Sequence, residues 1–244
     1  MNAAILNTPH FYHEAQQLSD ALQLPLHTEK NHLTAFYLYY TETGLHLIST
    51  QLNLGPLHLD FNQGVLGQRL QSASIRKEPL ARAIGLHKKT ELRVCDATAG
   101  IGREGCLLAA LGARVTLVER SPIMVALLRD ALERCHASWR EQVDLVAADS
   151  RDFLRESSHP SFDVIYLDPM FEAKSHKARV KKEMQYLQAL MGPQEDADAL
   201  LEAALSLNPW RIVVKRPLKA PSLLAKNPDF CLTLAAYRFD VYTA

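Results

Sequence analysis

The sequence predicts an α/β protein: a mostly parallel sheet with helices on both faces, preceded by a small N-terminal β-rich (α+β) subdomain. After Lys89 the chain repeats apolar strand, short turn and amphipathic helix, the alternation of a parallel sheet wound with crossover helices. Residues 36–49 read instead FYLYYTETGLHLIS, two β-prone runs around Thr-Glu-Thr-Gly, the pattern of a hairpin. A length of 244 residues with 48% hydrophobic and 22% charged side chains suits one full domain plus an appendage, and excludes disorder, coiled coil and collagen.

Each element has its own signal. Gly44 can take the positive φ that closes the hairpin, and Pro56 precedes an extended run at 57–61, so residues 1–65 are expected to form the β-rich subdomain. Residues 66–90 form a helical connector, with Leu80, Ala83 and Ile84 at helical spacing and a basic surface from Arg69, Arg76, Lys77 and Arg82. Residues 91–244 form the main domain. Its first strand is expected at 92–95, followed by a glycine turn to Gly102 and a helix at 104–111 closed by Gly112. A second strand at 115–118 leads to the best-marked helix, with Ser121 as N-cap, Pro122 at the first position and Ile123, Leu127, Leu128, Ala131 and Leu132 on one face. Strands at 143–147 and 164–167, a polar helix through Gln185, an acidic-headed helix at about 196–205 and a strand at 212–214 follow. Residues 230–242 supply one or two closing strands.

Lys+Arg 27 against Asp+Glu 27 leaves no global field to attract a polyanion, so a nucleic-acid partner would have to be met by a local basic patch. Cys95, Cys106, Cys135 and Cys231 show no CxxC spacing and read as buried small hydrophobes, and the ten histidines lack metal-ligand spacing. No apolar run approaches the ~18 residues of a membrane span, and the start lacks a basic, apolar leader. A cytoplasmic, reduced protein without a metal, a membrane or an obligate protein partner is expected.

In such a sheet the ligand lies beyond the carboxyl ends of the strands. There stands Asp96-Ala-Thr-Ala-Gly100-Ile-Gly102, whose glycines allow close backbone approach and whose helix offers free N–H groups, although plain structural turns share this pattern. Glu119 follows Gly102 by 17 residues, where nucleoside-binding folds place a carboxylate for the ribose hydroxyls. Asp149 and Ser150 end the third strand, placed for an adenine amino group or for a helix cap. Asp168-Pro169-Met170-Phe171 follows the apolar strand VIYL. It suits a planar base bearing an amine: the Asp168 carboxylate and Pro169 carbonyl accept from the NH₂ while Phe171 stacks.

Together DATAGIGRE, LVERSP, YLDPMF, VKKEM, GPQEDADALLE, VVKRP and YRFDVY resemble the small-subunit ribosomal RNA methyltransferase J family, bacterial guanine N2-methyltransferases. The resemblance covers about residues 90–244. It implies a Rossmann-like, seven-stranded, S-adenosylmethionine-dependent methyltransferase sheet acting on 16S ribosomal RNA or the small ribosomal subunit. It further implies cofactor contacts from Arg103, Glu104, Glu119, Arg120, Asp149, Ser150 and Asp168, with the turn from Asp96 through Gly100 and Gly102 shaping the methionine end. S-adenosylhomocysteine would be the product. Glu172 stands where the family has Pro, and Glu104 where it usually has Asp.

Transfer from a sulfonium is an in-line displacement that requires neither metal nor covalent nucleophile. Asp168, Pro169 and Phe171 are therefore the candidate catalytic residues, orienting a poorly nucleophilic amine. Lys174, Lys177, Arg179, Lys181 and Lys182 crowd nine positions just downstream, and with Lys215 and Arg216 they are the candidate RNA phosphate contacts. Other acceptors (a DNA base or a protein side-chain amide), a nicotinamide-dependent oxidoreductase and a non-catalytic ribosome-assembly module are the competing readings.

Overall fold

The computed structural model describes residues 2–31, 33–156, 161–169, 182–192 and 196–243. The N-terminal part is a five-stranded sheet built from β1 (Ala3–Leu6), β2 (Leu26–His27), β3 (Phe36–Thr41), β4 (Gly44–Ser49) and β5 (Leu57–His58), in the order β2-β1-β3-β4-β5. The β3–β4 hairpin closes on Gly44 at φ 114. Helix α1 (Tyr12–Leu22) was not anticipated from the sequence: it packs on the core through buried Ala15 and partly buried Leu18 and Leu22, a short stripe in an otherwise polar segment. The connector holds two short helices, α2 (Gly64–Gln71) and α3 (Pro79–Ile84).

The main sheet comprises β6 (Arg93–Asp96), β7 (Arg114–Glu119), β8 (Val143–Ala147), β9 (Val164–Leu167), β10 (Arg211–Pro217), β11 (Phe230–Thr233) and β12 (Tyr237–Thr243). Their order is β11-β12-β10-β9-β6-β7-β8, with β12 antiparallel to both neighbours. The connecting helices are α4 (Arg103–Ala110), α5 (Pro122–Glu133), α6 (Ser150–Arg155), α7 (Lys182–Met191) and α8 (Ala197–Ser206). Local chemistry explains the boundaries. The Ser121 hydroxyl caps α5 by accepting from the Met124 amide at 3.4 Å. After α4, Gly112 at φ 97 lets its own amide and that of Ala113 return to the Ala109 and Leu108 carbonyls. Helix α7 runs past the expected Gln185 to Met191, because Tyr186, Leu187 and Leu190 bury one face of it.

Alternate strand residues feed two cores. Val94, Leu117, Tyr166 and Val213 point to one face, and Cys95, Val118, Leu167 and Val214 to the other. The first core continues into Ile5, Leu38 and Leu47 of the N-terminal sheet. Polar clasps reinforce that junction: the Leu45 amide donates to Asp130 (3.0 Å), Arg134 pairs with Asp130 (2.7 Å) and donates to the Leu59 carbonyl (2.8 Å). Cys95, Cys106 and Cys135 are buried free thiols, whereas Cys231 is exposed, contrary to the sequence expectation, because β11 is an edge strand. No described helix is long and apolar enough to cross a membrane.

Candidate active site

A cleft of about 420 Å³ opens beyond the carboxyl ends of β6, β7, β9 and β10, within the range of small-molecule sites. Its floor is the turn after β6. Gly100, at φ 54, donates its amide to Glu119 Oε2 at 2.9 Å, and the Ser121 amide donates to Oε1 at 2.7 Å. Two backbone donors thus fix a carboxylate that is only 3% exposed, and its remaining lone pairs border the cleft. Burial pushes the Glu119 carboxyl above its ordinary range, and those amides hold the rise back.

Ion pairs line the neighbouring wall. Asp149 caps α6 and accepts a bidentate pair from Arg151 at 3.0 and 2.9 Å, which holds its carboxyl below the usual range. Arg120 donates to Asp196 at 3.1 Å. The Ser150 hydroxyl donates to the Ala97 carbonyl at 2.6 Å, tying α6 to the turn after β6. Val118 and Leu200 are the apolar part of this wall.

At the end of β9 the Asp168 amide donates to the Thr98 hydroxyl at 2.7 Å, and Lys215 Nζ lies 2.7 Å from Asp168 Oδ2. Burial raises the Asp168 carboxyl, and Lys215 opposes the rise. For Lys215 burial works to lower the ammonium, but Asp168 and Glu104 outweigh it and the net shift is upward. Glu104 Oε1 is 4.0 Å from the same ammonium. Leu187 and Met191 of α7 and Tyr237 of β12 complete the lining.

The cleft therefore gathers Gly100, Arg103, Glu104, Glu119, Arg120, Asp149, Ser150, Asp168, Pro169, Lys215 and Arg216 from the sequence-derived set. Others lie elsewhere. Asp96 is the last residue of β6, 1% exposed beneath the turn, with its Oδ1 accepting from the Thr98 amide at 3.1 Å. Burial moves its carboxyl up to about 8. Gly102 faces packing rather than cofactor: a Cβ there would meet Leu128 at 2.8 Å and Phe61 at 3.3 Å. Neither residue lines the cleft. Lys215, expected to contact phosphate, pairs with Asp168 at the cleft. Arg216, of which the same was expected, is turned inward by strand alternation, is 4% exposed and donates to the Pro221 carbonyl. Lys182 is exposed at the head of α7 and donates to the Pro56 carbonyl at 2.9 Å. Phe171, Lys174, Lys177, Arg179 and Lys181 fall outside the described residues.

Sequence reasoning missed Thr98, Arg151, Asp196 and Tyr237. Thr98 lay in plain sight within the DATAG turn and Arg151 directly after Asp149-Ser150, whereas Asp196 and Tyr237 enter the site only through tertiary packing.

A family model described as "Putative SAM-dependent methyltransferase" matches residues 17–244. A ribosomal RNA small subunit methyltransferase J from Alkalilimnicola ehrlichii is 42% identical, over 98% of this chain and 94% of that protein. Its counterpart from Thioalkalivibrio sulfidiphilus is 43% identical, over 93% of this chain and 92% of that one. In fold, the chain is similar to the crystal structure of a SAM-dependent methyltransferase from Neisseria gonorrhoeae, with TM-score 0.75, 24% identity and coverage of 99% of this chain and 95% of that one. With its sheet order, its cleft and these relatives, the chain belongs to the SAM-dependent methyltransferases and, among them, to the ribosomal RNA small subunit methyltransferase J family.

Proposed function

We propose that this protein methylates the exocyclic N2 amine of a guanine in 16S ribosomal RNA of the small subunit, in the cytoplasm. The reading rests on the family and on one observation above the others: the Asp168-Pro169 turn sits at the cleft edge with its backbone anchored by the Thr98 hydroxyl and its carboxylate by Lys215. The cleft suits S-adenosylmethionine by the chemistry of its donors. Glu119 presents a fixed carboxylate for ribose hydroxyls, Gly100 brings backbone without a side chain to the cleft wall, Val118 and Leu200 offer an apolar slot, and Asp149 with Ser150 stands beside it. Bound there, S-adenosylmethionine supplies an electrophilic methyl group and is left as S-adenosylhomocysteine.

The protein's task is orientation. The lone pair of the guanine amine is delocalised into the ring, so directed acceptors must hold it in line and stabilise the charge that develops on nitrogen. The Asp168 carboxylate and the Pro169 carbonyl do this, with Phe171 stacking on the base. The amine reaches them only when the nucleotide is unpaired or flipped out. Lys174, Lys177, Arg179, Lys181 and Lys182, crowded just after Asp168-Pro169 in the sequence, supply phosphate contacts.

The test is transfer of labelled methyl from S-adenosylmethionine to small-subunit particles lacking the modification, followed by identification of the labelled nucleoside. Wild type yields N2-methylguanosine, and Asp168→Ala loses about 10²-fold or more in rate. Label in another nucleoside or in protein would reassign the acceptor.

A further inference from the structure

Lys215 was expected to meet RNA phosphate, and its surroundings give it another occupation. Strands β9 and β10 run parallel with Val214 opposite Leu167, so the next residues, Lys215 and Asp168, emerge side by side at the cleft. The ammonium lies 2.7 Å from Asp168 Oδ2, 4.0 Å from Glu104 Oε1 and 5.3 Å from the centre of the Tyr237 ring. Its side chain is 26% exposed, held between two carboxylates and an aromatic face. A cation so engaged would have to give up both partners to reach a phosphate.

We propose that Lys215 is a positioning residue for methyl transfer: its ammonium occupies one oxygen of the Asp168 carboxylate, fixes the rotation of that group and leaves the other oxygen for the acceptor amine. The proposal rests on the reading of Asp168 as the amine's acceptor. Geometry supplies the reason for such a device. The Thr98 hydroxyl anchors the Asp168 backbone, which does nothing for rotation of the carboxylate about its side-chain bonds. Glu104 on α4 adds negative charge beside Asp168, Asp96 at the end of β6 is held largely protonated near neutrality by burial, and the Tyr166 phenol works with Lys215 to lower the Asp168 carboxyl. Without Lys215 this largely acidic, partly dry setting would favour a protonated Asp168, and a protonated carboxyl presents a donor where an acceptor is required. A compact ammonium suits the place better than a guanidinium fork would, because Asp168 and Glu104 lie on different sides of one point charge.

The experiment compares Lys215→Met and Lys215→Arg with wild type, using two readouts on the full chain. Carboxyl-carbon NMR, with the Asp168 signal assigned through Asp168→Asn, follows its titration without RNA. The expected result is a midpoint raised by about one pH unit or more in Lys215→Met and close to wild type in Lys215→Arg, as a lost neighbouring cation requires. Methyl transfer to undermethylated particles is then measured against pH. In Lys215→Met, kcat falls on the order of 10²-fold near neutrality, its acidic limb moves upward with the NMR midpoint, and KM for particles changes little. Lys215→Arg recovers part of the rate. An unchanged midpoint overturns the proposal. So does a raised KM with kcat preserved and the salt dependence reduced by about one phosphate contact, which is the signature of RNA binding. If wild type labels no guanine, the acceptor assignment fails, and the NMR midpoint still decides the pairing; if wild type labels guanine and Lys215→Met matches it at every pH, the role of Lys215 is what fails.

Discussion

The Tyr186 hydroxyl on α7 donates to the Gly55 carbonyl at 3.2 Å, joining a helix that lines the cleft to the N-terminal sheet. The same oxygen accepts from the Ser49 amide at 3.3 Å, so one buried phenol satisfies both ends of the loop between β4 and β5. Tyr186→Phe keeps the ring and removes both bonds. The expected cost is about 1–3 kcal/mol, because the Ser49 amide is left buried and unpaired. Since Leu187 and Met191 of the same helix border the cleft, cofactor affinity should weaken as well, and KM should change more than kcat. Calorimetric titration with S-adenosylmethionine together with thermal melts checks both; unchanged affinity would show that α7 keeps its place without Tyr186.

Asp96 makes stability depend on pH. Its carboxyl titrates near 8 in the folded chain because burial disfavours the anion, while the unfolded chain releases that proton in the ordinary carboxylate range. Between those limits the folded state holds the extra proton, so this group's contribution is fully present at low pH and declines as pH rises to about 8. Asp96→Asn removes the titration and keeps an oxygen for the Thr98 amide. The variant should gain stability over wild type progressively from pH 5 to pH 8, by a few kcal/mol at most, in denaturant melts across that range. Parallel pH profiles for the two proteins would assign the proton elsewhere.

Two nearby glycines, Gly100 in the turn after β6 and Gly105 in α4, should fail differently. A Cβ at Gly105 would lie 2.2 Å from Leu117 Cδ2 and 3.0 Å from Asp96 Oδ2, where α4 presses on the sheet. Gly105→Ala should cost about 1–3 kcal/mol by overpacking. At Gly100 the nearest atom to such a Cβ is 3.6 Å away, and the cost is instead the backbone at φ 54, about 1–2 kcal/mol for a residue with a side chain. Because Gly100 borders the cleft, Gly100→Ala should also lose cofactor affinity several-fold, whereas Gly105→Ala should bind normally once folded. Melting curves and calorimetric titration of both variants make the comparison.

Much of this was legible where local chemistry decides. Ser121-Pro122 announces α5, Gly112 stops α4, and the acidic residues after the apolar strands mark the edge where Glu119, Asp149 and Asp168 converge. Register was not legible. Placing the strand at 93–96 rather than 92–95 puts Asp96 within the sheet and under the turn, away from the cleft. The partner of Lys215 is set by how β10 slides against β9, 47 residues apart, and nothing local distinguishes Lys215 from the buried Arg216 beside it. Helix α1 escaped notice for another reason: Ala15, Leu18 and Leu22 stand at helical spacing, but they are few among polar residues and only Ala15 of the three is fully buried.

The antiparallel strand β12 has a consequence for the order in which the enzyme becomes competent. It follows β11 in the chain yet lies between β11 and β10, so during synthesis β10 keeps an open edge until β12 has emerged. Tyr237, whose ring lies beneath the Lys215 ammonium, arrives on that same strand. The side of the cleft made by β6, β7 and β8 comes from earlier residues, while the side bearing Lys215 and Tyr237 is completed only when the sheet closes. The closing of one sheet edge thus separates an incomplete cleft from a complete one.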